Sequence, residues 1–92
     1  MKRLRLTVVN EVGLHARPAA VFVSEAARFA SRIRVRNATT DSGWVDAKSI
    51  LSVLTLGVEQ NHEIEIAVEG PDEDQAAAAL ERLVASDFAG RL

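Results

Sequence analysis

The chain's 92 residues include 11 Lys and Arg against 13 Asp and Glu, a formal net charge of −2, with 48% hydrophobic residues and no cysteine. A chain this short buries one modest core, which makes residues 1–92 a single domain, and its charge leaves no broad basic footprint for nucleic acid. The missing cysteines exclude a disulfide framework and thiol chemistry; with no signal-peptide core in the first six residues and no membrane-spanning run, the expectation is a soluble cytoplasmic protein without membrane insertion.

Leu4, Leu6 and Val8 alternate with Arg3, Arg5 and Thr7, predicting a half-buried strand from Leu4 to Val9. Past Gly13, Pro18 sits in a first helical turn, where its missing N–H costs nothing. Ala19, Phe22, Val23, Ala26, Phe29 and Ala30 then form an apolar stripe, with Ser24, Glu25 and Arg28 outside. Ile33 and Val35 between Arg32, Arg34 and Arg36 predict a second strand with a basic outer face. Asn37 to Gly43 reads as a turn, and Gly43 to Asp46 as a short third strand. Lys48 to Leu56 predicts a helix that Gly57 ends in the left-handed conformation. Glu59 to His62 turns the chain, and Ile64, Ile66 and Val68 alternate with Glu63, Glu65 and Glu69 in an acidic fourth strand. Gly70 to Asp74 opens a last helix with core residues Ala76, Ala77, Leu80, Leu83 and Val84.

The order βαββαβα gives an α+β open-faced β-sandwich, with three helices on one face of a four-stranded antiparallel sheet. Opposite charges on neighbouring strands are favourable by fractions of a kcal/mol per pair. Both basic strands gain from flanking the acidic one, which favours strand order 1-4-2-3 over the ferredoxin-like 4-1-3-2.

Gly13-Leu14-His15-Ala16-Arg17-Pro18 places a histidine at a strand-to-helix corner. The first N–H groups of a helix lack internal partners and carry partial positive charge, so they can hold an anion, and Arg17 adds a permanent charge. A histidine is substantially neutral near pH 7 and nucleophilic there. The stretch therefore reads as a site where His15 accepts a phosphoryl group. Metal binding lacks partners, because His62 is the only other histidine and no acidic pair stands at ligand spacing from His15. His62 itself reads as a surface residue.

The helix from Lys48 to Leu56 carries more apolar surface than one buried face requires. A helix sunk in the core and a docking patch for a partner protein both account for it. Ser49 stands where a hydroxyl caps the helix start.

Gly13 to Ala20, with Lys48-Ser49-Ile50-Leu51 and Leu56-Gly57, resembles HPr, the histidine-containing phosphocarrier family of the bacterial phosphoenolpyruvate:sugar phosphotransferase system. The resemblance spans essentially the whole chain and implies the strand order 1-4-2-3. It implies that His15 is phosphorylated on Nδ1 by enzyme I and passes the group to sugar-specific enzyme IIA domains. Arg17 would stabilise the anion, the N–H groups of Ala16 and Arg17 complete the phosphate site, and Pro18 shapes it. Ser49 matches a regulatory serine, the target of an HPr kinase/phosphorylase in some bacteria, while Ile50, Leu51 and Leu54, with Ala20, match the partner-binding surface. Ser52 stands where many relatives have glycine, and Ala20 replaces a hydroxyl residue seen in some. No cofactor or metal is implied, and a monomer is the expectation. A nitrogen-regulatory or dihydroxyacetone-kinase phosphorelay would use the same histidine with other partners. A small-ligand-binding α+β module would share the elements but need no histidine at the helix start.

Overall fold

Period-two alternation gives each strand one apolar and one charged face, and the sheet uses both. In the computed structural model, which describes residues 1–88, the elements are β1 (Lys2–Thr7), α1 (Ala16–Ala27), β2 (Arg32–Asn37), β3 (Val45–Asp46), α2 (Ile50–Leu54), β4 (Glu63–Glu69) and α3 (Glu73–Ala85). The strands form one antiparallel sheet in the order β1-β4-β2-β3, as the charges favour. Glu65 of β4 stands opposite Arg5 of β1 and Arg36 of β2. Arg36 Nε donates to Glu65 Oε1 at 2.8 Å, and Arg5 Nε donates to Glu63 Oε1 at 3.0 Å. Such pairs contribute only about 0.2–1 kcal/mol each, so they select the neighbour rather than hold the sheet.

Stability comes from the other face. Ile33, Val35, Ile64, Ile66 and Val68 are buried there against Phe22, Ala26, Ala76, Leu80 and Val84. Helix α3 lies on β1 and β4, while α1 rests on α2 and α3. This arrangement leaves the N-terminus of α1 at the surface with α2 beside its helix.

Several boundaries differ from expectation, each for a visible reason. Helix α1 ends at Ala27, so Ala30 is exposed rather than part of the stripe; its N–H is taken by Asp72 Oδ2 at 2.9 Å. Glu25, expected outside, is buried, with Arg28 Nη1 donating to its carboxylate at 2.9 Å. Strand β3 is two residues long, because Ser42 ties the preceding turn to Asn37: Ser42 N–H donates to the Asn37 carbonyl at 3.0 Å and Ser42 Oγ accepts from Asn37 N–H at 2.9 Å. Helix α2 starts two residues late, since Lys48 N–H is held by Asp46 Oδ1 at 2.9 Å, and Gly57 follows it with φ of 58°.

Candidate functional site

The loop that delivers His15 is fixed by backbone contacts. Gly13 has φ of 65°, and a Cβ there would lie 2.1 Å from the Val58 carbonyl oxygen, so only glycine fits. That same oxygen accepts from Leu14 N–H at 3.0 Å. Asn10 closes the loop from the other side: its carbonyl accepts from Gly13 N–H at 3.1 Å, and its Nδ2 donates to the Gly13 carbonyl at 2.8 Å. Leu14 before the histidine and Pro18 and Ala19 after it are buried, whereas Ala16, Arg17 and Ala20 are exposed and His15 is half-buried. The backbone is thus anchored on both sides of an accessible imidazole.

His15 occupies the N-cap of α1 with extended backbone, φ −128° and ψ 162°, and its side chain does not cap the helix. No acidic residue lies in the first turn. Among the described residues, the N–H groups of Ala16 and Arg17 have no side-chain acceptor, so the positive end of α1 is open to an external anion. Ala16 takes the left-handed conformation with φ of 51°. For a residue with a Cβ that costs about 1–2 kcal/mol, a strain that the anchored neighbours on either side sustain.

Helix α2 is sunk in the core along only part of its apolar surface. Val53 and Leu56 are buried, while Ile50, Leu51 and Leu54 are exposed, Leu51 by 74%. Ser49 caps this helix, its side chain accepting from Ser52 N–H at 3.4 Å. An exposed apolar patch therefore sits on the helix packed against α1.

Residues 2–86 match the family described as "PTS HPr component phosphorylation site". The chain belongs to the HPr family of the phosphotransferase system. It is 44% identical over 81 residues to the phosphocarrier protein HPr of Treponema pallidum, covering 88% of this chain and 89% of that one. The crystal structure of HPr-C-His from Thermoanaerobacter tengcongensis superposes with a TM-score of 0.91 at 42% identity, covering 100% of both chains. A multiphosphoryl transfer protein of Vibrio cholerae is 48% identical over 73 residues; they make up 79% of this chain but 18% of that protein, so the chain spans under a fifth of that relative's length.

Within this HPr fold the two histidines differ sharply. His62, expected as a surface residue, is half-buried and structural: its Nδ1 accepts from Glu59 N–H and from Asn37 Nδ2, each at 3.1 Å. Two donors on one nitrogen place the ring proton on Nε2. Asn37 is fully buried at the end of β2; its Nδ2 also donates to the Leu56 carbonyl at 3.1 Å, and its Oδ1 accepts from the N–H groups of Thr39 and Thr40 at 3.1 and 3.3 Å. Read as the first residue of a turn, Asn37 in fact ties β2, the end of α2 and the His62 turn together. Its inward parity after Ile33 and Val35 was the available signal. No three His, Cys, Asp or Glu side chains among the described residues come together as a metal site, and no helix is long and apolar enough to cross a membrane.

Proposed function

We propose that this chain is a phosphocarrier in which His15 accepts a phosphoryl group from phospho-enzyme I and donates it to enzyme IIA domains. The observation that carries the reading is an accessible His15 at the open N-terminus of α1, with Arg17 exposed two residues on in the first turn and unpaired N–H groups at Ala16 and Arg17. The lone pair on Nδ1 attacks phosphorus as the bond to the donor breaks; in the second transfer the imidazole is the leaving group. Helix-start amides and the Arg17 guanidinium align the phosphoryl oxygens for in-line displacement, and Pro18, which lacks an N–H, fixes the turn. So few contacts keep the N–P bond transferable.

Both partners must reach the same nitrogen, which suits a small transient interface built on Ile50, Leu51 and Leu54 with Ala20 at its edge. Phosphorylation of Ser49 by an HPr kinase would put about −2 charge next to Ile50 and Leu51 and weaken docking. The carrier acts as a monomer in the cytoplasm, where phosphoenolpyruvate is made. The test is incubation with phosphoenolpyruvate and enzyme I from a phosphotransferase system, followed by an enzyme IIA domain. One acid-labile phosphate that passes on to the IIA domain is expected; a chain that stays unlabelled overturns the proposal.

A further inference from the structure

An open cavity of about 480 Å³ lies beyond the C-terminal end of α1, where the chain enters β2, and is lined by Ser31, Arg32, Arg34, Trp44, Asp46 and Lys48 among others. It lies a helix length from His15, because the 12 residues of α1 separate them by about 18 Å. The volume suits a small molecule rather than a protein surface.

Its lining gathers cations that no carboxylate neutralises. Lys2, Arg3, Arg5, Arg28 and Arg36 each pair with a carboxylate. Among the described residues Arg17, Arg32, Arg34, Lys48 and Arg82 form no such pair, and Arg32, Arg34 and Lys48 come together in this cavity. Asp46 is the carboxylate present, and its Oδ1 is engaged by the Lys48 N–H. The Lys48 ammonium donates to the Phe29 carbonyl at 2.6 Å, which fixes its position and leaves further donors free. Three cations against one carboxylate mark the cavity for an anion.

Trp44 adds a flat apolar surface. The guanidinium carbons of Arg3 and Arg36 lie 5.6 and 5.7 Å from its ring centroid, so the half-buried indole is held in place before any ligand arrives. A held ring is a platform on which a second planar group stacks at low entropic cost. Guanidinium groups bind phosphate oxygens bidentately, and an ammonium complements them.

We propose that this cavity binds a nucleoside phosphate, its base stacked on Trp44 and its phosphate held by Arg32, Arg34 and Lys48. The site is independent of His15 and needs no phosphotransfer partner.

Trp44 is the single tryptophan of the sequence, so its emission reports occupancy directly. Titration with ADP should give a saturable emission change, with amide shifts concentrated at Ser31, Arg32, Arg34 and Lys48 in NMR spectra. Adenosine and inorganic phosphate, which each carry half the recognition, should bind at least about tenfold more weakly than ADP. Arg34→Gln and Arg32→Gln should each weaken ADP binding about tenfold at unchanged melting temperature. No saturable response, a response that inorganic phosphate or adenosine reproduces at the same concentration, or ADP affinity unchanged in both variants overturns the proposal.

Discussion

Gly13 lies directly against the carbonyl of Val58, close enough that a single added methyl would stand 2.1 Å from the oxygen. The contact joins the His15 loop to the segment that follows α2, so it connects the two halves of the candidate site. Gly13→Ala should destabilise the protein by at least about 2 kcal/mol, combining the left-handed penalty with displacement of a backbone hydrogen bond. Gly43→Ala, where a Cβ meets nothing within 4 Å, serves as the control and should leave the denaturation midpoint nearly unchanged.

Asn37 should be as sensitive as any apolar core residue. Asn37→Ala leaves the Leu56 carbonyl and the N–H groups of Thr39 and Thr40 without their partner. A loss of about 2–4 kcal/mol is expected in urea denaturation with an unchanged m-value. Asn37→Asp should not rescue it, because a carboxylate cannot donate to the Leu56 carbonyl.

The two apolar surfaces of α2 predict opposite behaviour. Leu51→Glu should change stability by less than about 0.5 kcal/mol, since Leu51 is 74% exposed. It should nevertheless slow phosphoryl exchange with both enzyme I and a IIA domain. Val53→Ala, at a fully buried position, should lose about 2 kcal/mol and leave exchange rates of the folded protein intact.

Stability should fall in acid through Asp72. Its carboxylate accepts from Ser31 Oγ and from the N–H groups of Ala30 and Ser31, both at 2.9 Å, and the Ser31 hydroxyl above all holds its pKa below the usual aspartate value. A depressed folded-state pKa contributes stability that is present in full above the unfolded value, near about 4, and is lost as pH falls through the folded one. The gap in unfolding free energy between the wild type and Asp72→Asn should be constant above about pH 5 and shrink below about pH 4. A gap that stays constant into acid would remove Asp72 from the acid response.

Much of this molecule could be read from its residues, because strong local patterns decided it. Arg5, Arg36 and Glu65 carried the strand order, and Gly13 through Pro18 marked the helix start that presents His15. Contacts between distant segments were not legible. Asp72 read only as an acidic residue at the opening of its helix, yet it binds Ala30 and Ser31 across 42 and 41 positions of chain. Glu25 looked solvent-facing because its charge was visible and its burial was not. Asn37 and His62 each looked like polar turn residues, and no pattern within either segment shows that they meet.

Ala16 offers a direct probe of the strained helix start. In an ordinary helical position Ala→Gly costs about 1 kcal/mol, and Ala20→Gly within α1 should do so. Ala16→Gly relieves a positive φ and should cost nothing, or slightly raise the melting temperature.

The central claim is that His15, and not His62, carries the phosphoryl group. Long-range proton–nitrogen NMR spectra of the two imidazoles, taken before and after phosphorylation by enzyme I and phosphoenolpyruvate, test it most directly. Modification of His15 Nδ1 is predicted, with shifted amides at Ala16 and Arg17 and an unchanged His62 ring. Spectra in which the His62 nitrogens change while those of His15 do not would contradict the account.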